Sequence, residues 1–359
     1  MDDSKNGAMN THNACSCIPS RRGFLTGLMA AGASTLIPGC ATSNVASRAD
    51  RIDIHHHAFS PAYVAELDKA GQAPPIVKGW TLAKTLDDMA KAGVGTSILS
   101  VTTPQVSFTH ATNAKRIARE SNEWTAKLAG DHKGKFGSFA MLPMQNVDDA
   151  LHELEYSLDV LKADGIGLLS SYGDKWLGHA SFAPIMNELN RRKAILFTHP
   201  ATADCCKNIL TPDVPPTVIE FQADTTRTIA NLLFSGTAAR TPDVRYIFAH
   251  SGGLVPFLIE RFTKLPIQDP KLAQRVPRGV LFELKRFFYD TAWTAHPGAL
   301  ASLTKLVDVS QILLASDFPY RTGFDSITGL IDYGFSANDL RAIERDNALR
   351  LLPQFNSTI

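Results

Sequence analysis

An excess of charge of either sign is missing from this sequence: 36 Lys and Arg stand against 35 Asp and Glu in 359 residues. Without a basic field, nucleic acid and anionic lipid have nothing to bind to, so function has to be sought in a local site. Cysteine is scarce as well. Of the five, Cys15, Cys17 and Cys40 fall near the N-terminus, and the neighbours Cys205 and Cys206 could form only a strained bridge, so no disulfide framework is available. The adjacent pair closely follows His199 and could touch a metal or substrate pocket, although such residues are more often simply small and buried. Also absent is a glycine-rich phosphate loop after the first apolar strand, which removes the main support for an open dinucleotide-binding sheet. Apolar content is not lacking: at 44% hydrophobic residues the chain can build a large core.

The N-terminal stretch "SRRGFLTGLMAAGASTLIPGC" is too short and too weakly apolar to read as an ordinary spanning helix. Paired Arg21 and Arg22 before a Gly- and Ala-rich run resemble a twin-arginine export signal, and "LIPGC" resembles a lipoprotein box with Cys40 as the lipid-bearing residue. Residues 1–39 are therefore expected to be a leader, 40–50 a linker and 51–355 the folded domain. The expected location is the periplasm, free or lipid-anchored through Cys40, the alternative being a cytoplasmic protein with a merely basic, apolar start. Cleavage before Cys40 would leave 33 basic and 33 acidic residues.

From Arg51 onward, short apolar runs alternate with longer segments that are apolar at i, i+3 and i+4. The strand-like runs are "RIDIHHH", "TSILSVT", "KFGSFAML", "GIGLLSS", "AILFTHP", "VRYIFAHSGG", "RFFYDTA" and "QILLASDFPY". Strands apolar on both faces, each followed by a helix, predict a parallel sheet covered on both sides. Eight such units predict an α/β fold of the closed (β/α)₈ barrel type, with chemistry at the C-terminal strand ends. Two stretches interrupt the rhythm. "DCCKNILTPDVPPTVIEF" is Pro-rich and is expected to loop over the barrel mouth, and "KLPIQDPKLAQRVPRGVLFEL" is expected to be irregular.

The strand ends carry the chemistry. The first ends in His55, His56 and His57, the fifth in His199, the sixth in His250 and the eighth in Asp317. Successive side chains of a strand point to opposite faces, so His55 and His57 are expected to point together and His56 toward the helices. A single such histidine is usually a satisfied core residue. Four strand ends bearing His or Asp on one face are hard to explain that way. His55, His57, His199 and Asp317 are thus the candidate ligands of one divalent metal, zinc first, with manganese or iron as alternatives. His250 is the adjacent acid, base or hydrogen-bond donor.

These motifs — "DIHHH", "THP", "AHSGG" and "SDFPY" — resemble the amidohydrolase superfamily, within it the branch of aminocarboxymuconate-semialdehyde decarboxylase and the metal-dependent hydroxybenzoate decarboxylases. The longer stretches "NLLFSGTAARTPDVRYIFAHSGGLVPFLIERF" and "FFYDTA" look most like 6-methylsalicylate decarboxylases. The resemblance implies non-oxidative loss of CO₂ from a salicylate-type or related unsaturated acid, without organic cofactor. Asp317 would protonate the ring or alkene carbon, with His250 assisting. It also implies a homodimer, and an arginine spaced like Arg261 that reaches the neighbouring subunit's site. Binuclear relatives carry a lysine at the end of the fourth strand; "GIGLLSS" has none and Lys175 lies beyond it, which implies a single metal. Arg321 is a second candidate for the substrate carboxylate, and Trp80, Phe221, Trp293 and Phe318 are candidates for an aromatic-binding wall. The alternative is a hydrolase or hydratase of lactonase type, in which His250 works with a metal-bound hydroxide. A non-enzymatic binding module keeping the metal as a clip is the remaining reading.

Overall fold

The computed structural model describes residues 50–207 and 213–357; the leader, Cys40 and most of the linker lie outside the described residues. Eight parallel strands form one sheet in sequential order: β1 (Arg51–His57), β2 (Val94–Ser100), β3 (Phe136–Met141), β4 (Gly165–Leu169), β5 (Ile195–His199), β6 (Arg245–Phe248), β7 (Phe288–Asp290) and β8 (Ile312–Leu313). After each strand comes a principal helix: α1 (Leu82–Ala92), α2 (Ala111–Asp131), α3 (Val147–Asp159), α4 (Ala183–Arg191), α5 (Glu220–Phe234), α6 (Val255–Gln268), α7 (Pro297–Leu306) and α8 (Gly323–Tyr333). The circle closes where the chain past β8 meets β1: Ile54 N donates to Leu314 O, Asp317 N to His55 O and His57 N to Phe318 O. The fold is the (β/α)₈ barrel.

Local signals set the helix ends. Thr81 caps α1 by accepting from Lys84 N, and Gly93 ends it at φ 64°, the left-handed conformation glycine adopts without a Cβ penalty. Asn146 caps α3, with Asp148 and Asp149 in its first turn favouring the positive end of the helix dipole. The stretch 264–284 differs from the expected irregular loop. α6 continues through Pro266 to Gln268, and short helices cover Pro270–Ala273 and Val280–Arg286. Pro270 sits in the first turn of its helix, where a missing N–H costs nothing. In the other stretch, one-turn helices at Asp204–Cys206 and Pro216–Val218 flank residues 208–212, which are outside the description. No helix among the described residues is long and apolar enough to cross a membrane.

The core has two layers. Between sheet and helices lies a large cluster including Leu99, Ile166, Leu196, Phe248 and Tyr289. Inside the barrel, Ile52, Ile54, Ile98, Phe139, Ile195, Phe197, Ile247 and Leu313 pack with Leu351, Leu352 and Phe355 from the C-terminal segment. Polar side chains occupy the opposite, C-terminal end of the strands.

Candidate metal centre

Strand β1 does not alternate evenly. Ile52 and Ile54 belong to the inner cluster, yet His55 and His57 also point inward. The pairing with β2 shows how: Asp53 is opposite Ser97 but His56 opposite Leu99, so three steps on β1 match two on β2. This is a β-bulge, one added residue that re-aims the side chains after it. The Asp53 carboxylate satisfies the amides it frees. Its Oδ1 accepts from His55 N at 3.1 Å and Ser316 N at 3.0 Å, and its Oδ2 from Ser316 Oγ at 2.6 Å and His56 Nδ1 at 3.0 Å. His56 therefore faces the helices, stacked on Phe318 with ring centroids 4.7 Å apart and near Thr85 of α1.

On the inner face, ligand atoms of His55, His57, His199 and Asp317 all lie within 4.8 Å of one another, fully buried. His55 Nε2 and His57 Nε2 are 3.1 Å apart. Asp317 Oδ1 is 2.8 Å from His57 Nε2 and 3.3 Å from His55 Nε2, yet it accepts from neither in hydrogen-bond geometry. The distal nitrogens decide the tautomers. His55 Nδ1 meets Asp290 Oδ2 at 2.8 Å, His57 Nδ1 meets Ser100 O at 3.2 Å and His199 Nδ1 meets Pro200 O at 2.8 Å. Each of these three oxygens can only accept, and the Ser100 hydroxyl, 3.3 Å from His57 Nδ1, can accept as well, so Nδ1 is the protonated nitrogen and the three Nε2 atoms converge beside a carboxylate. Three nitrogens and an oxygen brought together in this way fit a divalent metal.

Electrostatics point the same way. Burial would lower His55, but the carboxylates of Asp317 and Asp290 outweigh it and raise the imidazole to about 10. Burial pushes His57 down, and burial with the charges of His57 and His55 pushes His199 well below its ordinary value. Burial would raise Asp317, but the charge of His55 and the close approach of His250, His55 and His57 hold it well below the usual carboxylate range. The proton that the carboxylates hold on His55 thus stands where a bound cation would, and metal binding would displace it.

Around this group, His250 Nε2 is 3.3 Å from Asp317 Oδ2, while its Nδ1 is buried without a partner and is left for a substrate or a water. Phe221, in the first turn of α5, lies parallel to His250 at 6.4 Å and edge-on to His199 at 5.8 Å. Trp293, half exposed, follows β7, and the Arg321 guanidinium sits 5.9 Å over its ring. The remaining residues singled out from sequence sit elsewhere. Phe318 stacks on His56, across β1 from the metal group, and Trp80 packs edge-on to Phe59 and Trp124. Together they line a cavity beside α1. Arg261 is on the exposed face of α6 in a shallow cleft with Glu260 and Lys264. Cys205 is exposed and Cys206 buried, their sulfurs 2.7 Å apart, and neither joins the metal group. Lys175 lies in a short hairpin beyond β4.

Four residues at the site escaped the sequence reading. Asp53 and Asp290 brace its histidines; an acid at a strand end, the same signal that marks Asp317, would have found Asp290. Thr102 Oγ is 3.3 Å from His199 Nε2. Tyr320 lies edge-on to His57 at 5.9 Å, its phenol pushed up by burial and by Asp317, so it stays an O–H donor.

The amidohydrolase family profile matches residues 52–354. Decarboxylase yanB of Aspergillus niger is 36% identical over 326 residues, spanning 85% of this chain and 88% of its own. The 6-methylsalicylic acid decarboxylase of Penicillium expansum is 32% identical over 320 residues, spanning 86% of this chain and 98% of its own. Among solved structures, a dihydroxybenzoic acid decarboxylase from Polaromonas with bound manganese and 2-nitroresorcinol superposes with a TM-score of 0.74 at 21% identity. The match covers 85% of this chain and 97% of the other.

Proposed function

Because the chain belongs to the amidohydrolase family, we propose that it is a metal-dependent carboxy-lyase that removes CO₂ from a salicylate-type hydroxyaryl acid without oxidation. The observation that carries this reading is a buried His-His-His-Asp group, with His250 beside it, in a chain 36% identical to a decarboxylase along 85% of its length. The nitrogen-rich donor set suits zinc; manganese, held by the Polaromonas enzyme of the same fold, is the competing assignment. A divalent cation held by His55, His57, His199 and Asp317 would act as a Lewis acid toward the adjacent oxygens of carboxylate and ortho hydroxyl.

The protein's own part is to orient the substrate and move one proton. Direct loss of CO₂ would leave an aryl carbanion, so the ring carbon has to be protonated first. Asp317 favours its ionised form, so it passes a proton on rather than storing one, and His250 at 3.3 Å from Oδ2 is its source. The proton adds to the carbon bearing the carboxylate. The carbon–carbon bond then breaks, its electron pair restores the aromatic ring and CO₂ departs. Phe221 offers the ring a flat apolar wall, and Tyr320 and Thr102 offer hydroxyls to its oxygens.

The test is a panel of 2-hydroxybenzoates and lactones given to metal-loaded protein. CO₂ release from a hydroxybenzoate is expected, abolished by chelation and restored by zinc or manganese. His250→Ala should lower kcat by about 10²–10⁴-fold while one metal per chain is retained. Lactone opening without CO₂ release from any hydroxyaryl acid would replace this reading with a hydrolase.

A further inference from the structure

Asp290, at the end of β7, is fully buried, and no Lys or Arg forms an ion pair with it among the described residues. Its carboxylate instead collects three donors. Oδ2 accepts from His55 Nδ1 at 2.8 Å, and Oδ1 accepts from His250 N at 2.8 Å and Ala292 N at 3.1 Å. A buried carboxylate with no Lys or Arg to offset it is costly, and such a group persists where its partners need it. His57 and His199 make do with neutral carbonyl oxygens at the equivalent nitrogen. His55 alone has a carboxylate there, which makes it the strongest electron donor of the three imidazoles.

We infer that Asp290 is a positioning residue of the metal centre: it locks His55 in the Nδ1–H tautomer that aims a lone pair at the cation, and with its other oxygen it pins the backbone of His250. That backbone sits at φ 55°, a left-handed conformation unusual for a residue with a Cβ, and it needs an outside hold. The result is a closed circuit. Asp290 binds His55, His55 and Asp317 face the same cation position, Asp317 meets His250 Nε2 at 3.3 Å, and the His250 amide returns to Asp290. One side chain thereby couples ligand strength on β1 to the placement of the proton carrier after β6.

This inference rests on the metal reading above, and Asp290→Asn separates the two. The amide oxygen can still accept from His250 N and Ala292 N. The amide nitrogen cannot accept from His55 Nδ1, so His55 is driven to carry its proton on Nε2, toward the cation. Zinc and manganese affinities, measured by competition with a chromophoric chelator, should fall about 10–100-fold in the variant. In excess chelator the two proteins should unfold at the same temperature. In zinc-loaded wild type, ¹⁵N-histidine NMR should show His55 protonated at Nδ1, a readout that needs no variant. Equal metal affinities, or a wild-type His55 protonated at Nε2, would overturn the role of Asp290 alone. A wild type that binds neither zinc nor manganese would overturn the metal centre and this inference with it.

Discussion

At the scale of single residues, the site depends on carboxylates that hold its histidines in place. Asp53 is the clearest. Its two oxygens take four donors, two of them the amides of His55 and Ser316, at the seam where the barrel closes. Asp53→Ala would strand both amides in a buried place where water cannot replace the lost acceptor. Each orphaned donor costs about 1–3 kcal/mol, so a loss of roughly 2–6 kcal/mol is expected. Urea unfolding of chelated protein measures it without interference from metal binding. A midpoint unchanged from wild type would mean that the bulge holds itself and that Asp53 is incidental to it. The same residue shows what sequence can and cannot reveal. "RIDIHHH" discloses that His55 and His57 share a face and His56 does not, because alternation is a property of any strand. It does not disclose which way Ile54 points. In a strand buried on both faces, apolar residues mark neither side, and the bulge that resets the phase leaves no mark in composition.

At the scale of elements, all eight strands and their alternation with helices were legible from apolar periodicity. Legibility failed at 264–284, which was expected to be irregular. Its three prolines do not prevent helix: Pro270 opens one, and α6 absorbs Pro266, tertiary packing outweighing local propensity. The turn after β6 was legible as a motif but not as geometry. His250, Ser251, Gly252 and Gly253 follow one another at φ 55°, 57°, 73° and 68°. A Cβ on Gly253 would collide with Gln222 O, part of the α5 backbone next to Phe221. Gly253→Ala therefore has to push α5 and the His250 turn apart, moving Phe221 and His250, the proposed aromatic wall and proton carrier, but none of the proposed metal ligands. Its expected signature is a kcat at least about tenfold lower, since displacements of an ångström at a reacting centre cost that much or more. Metal content should stay at one per chain. Loss of metal together with activity would show instead that this turn also sets the ligands.

At the scale of the whole molecule, the barrel separates chemistry from stability along its axis. The C-terminal ends of the strands carry the His and Asp cluster, and the interior below it is filled by apolar side chains. The last segment of the described chain closes the other end, with Leu351, Leu352 and Phe355 joining the inner cluster. Gly137 at the base of β3 makes room for this: a Cβ there would come within 2.8 Å of the Phe355 ring and 2.6 Å of Ile98. The floor is thus a fitted plug, and filling the base of a barrel is a matter of stability while the top does the chemistry. Phe355→Ala removes most of a buried ring and leaves a void that a closed barrel cannot collapse to fill, at a cost of about 3–5 kcal/mol. The urea midpoint should fall accordingly, whereas kcat, KM and metal affinity, measured well below the unfolding temperature, should match wild type. A change in metal affinity would mean that the floor transmits strain through the inner cluster to the ligands, and that the two ends of the cylinder are not independent.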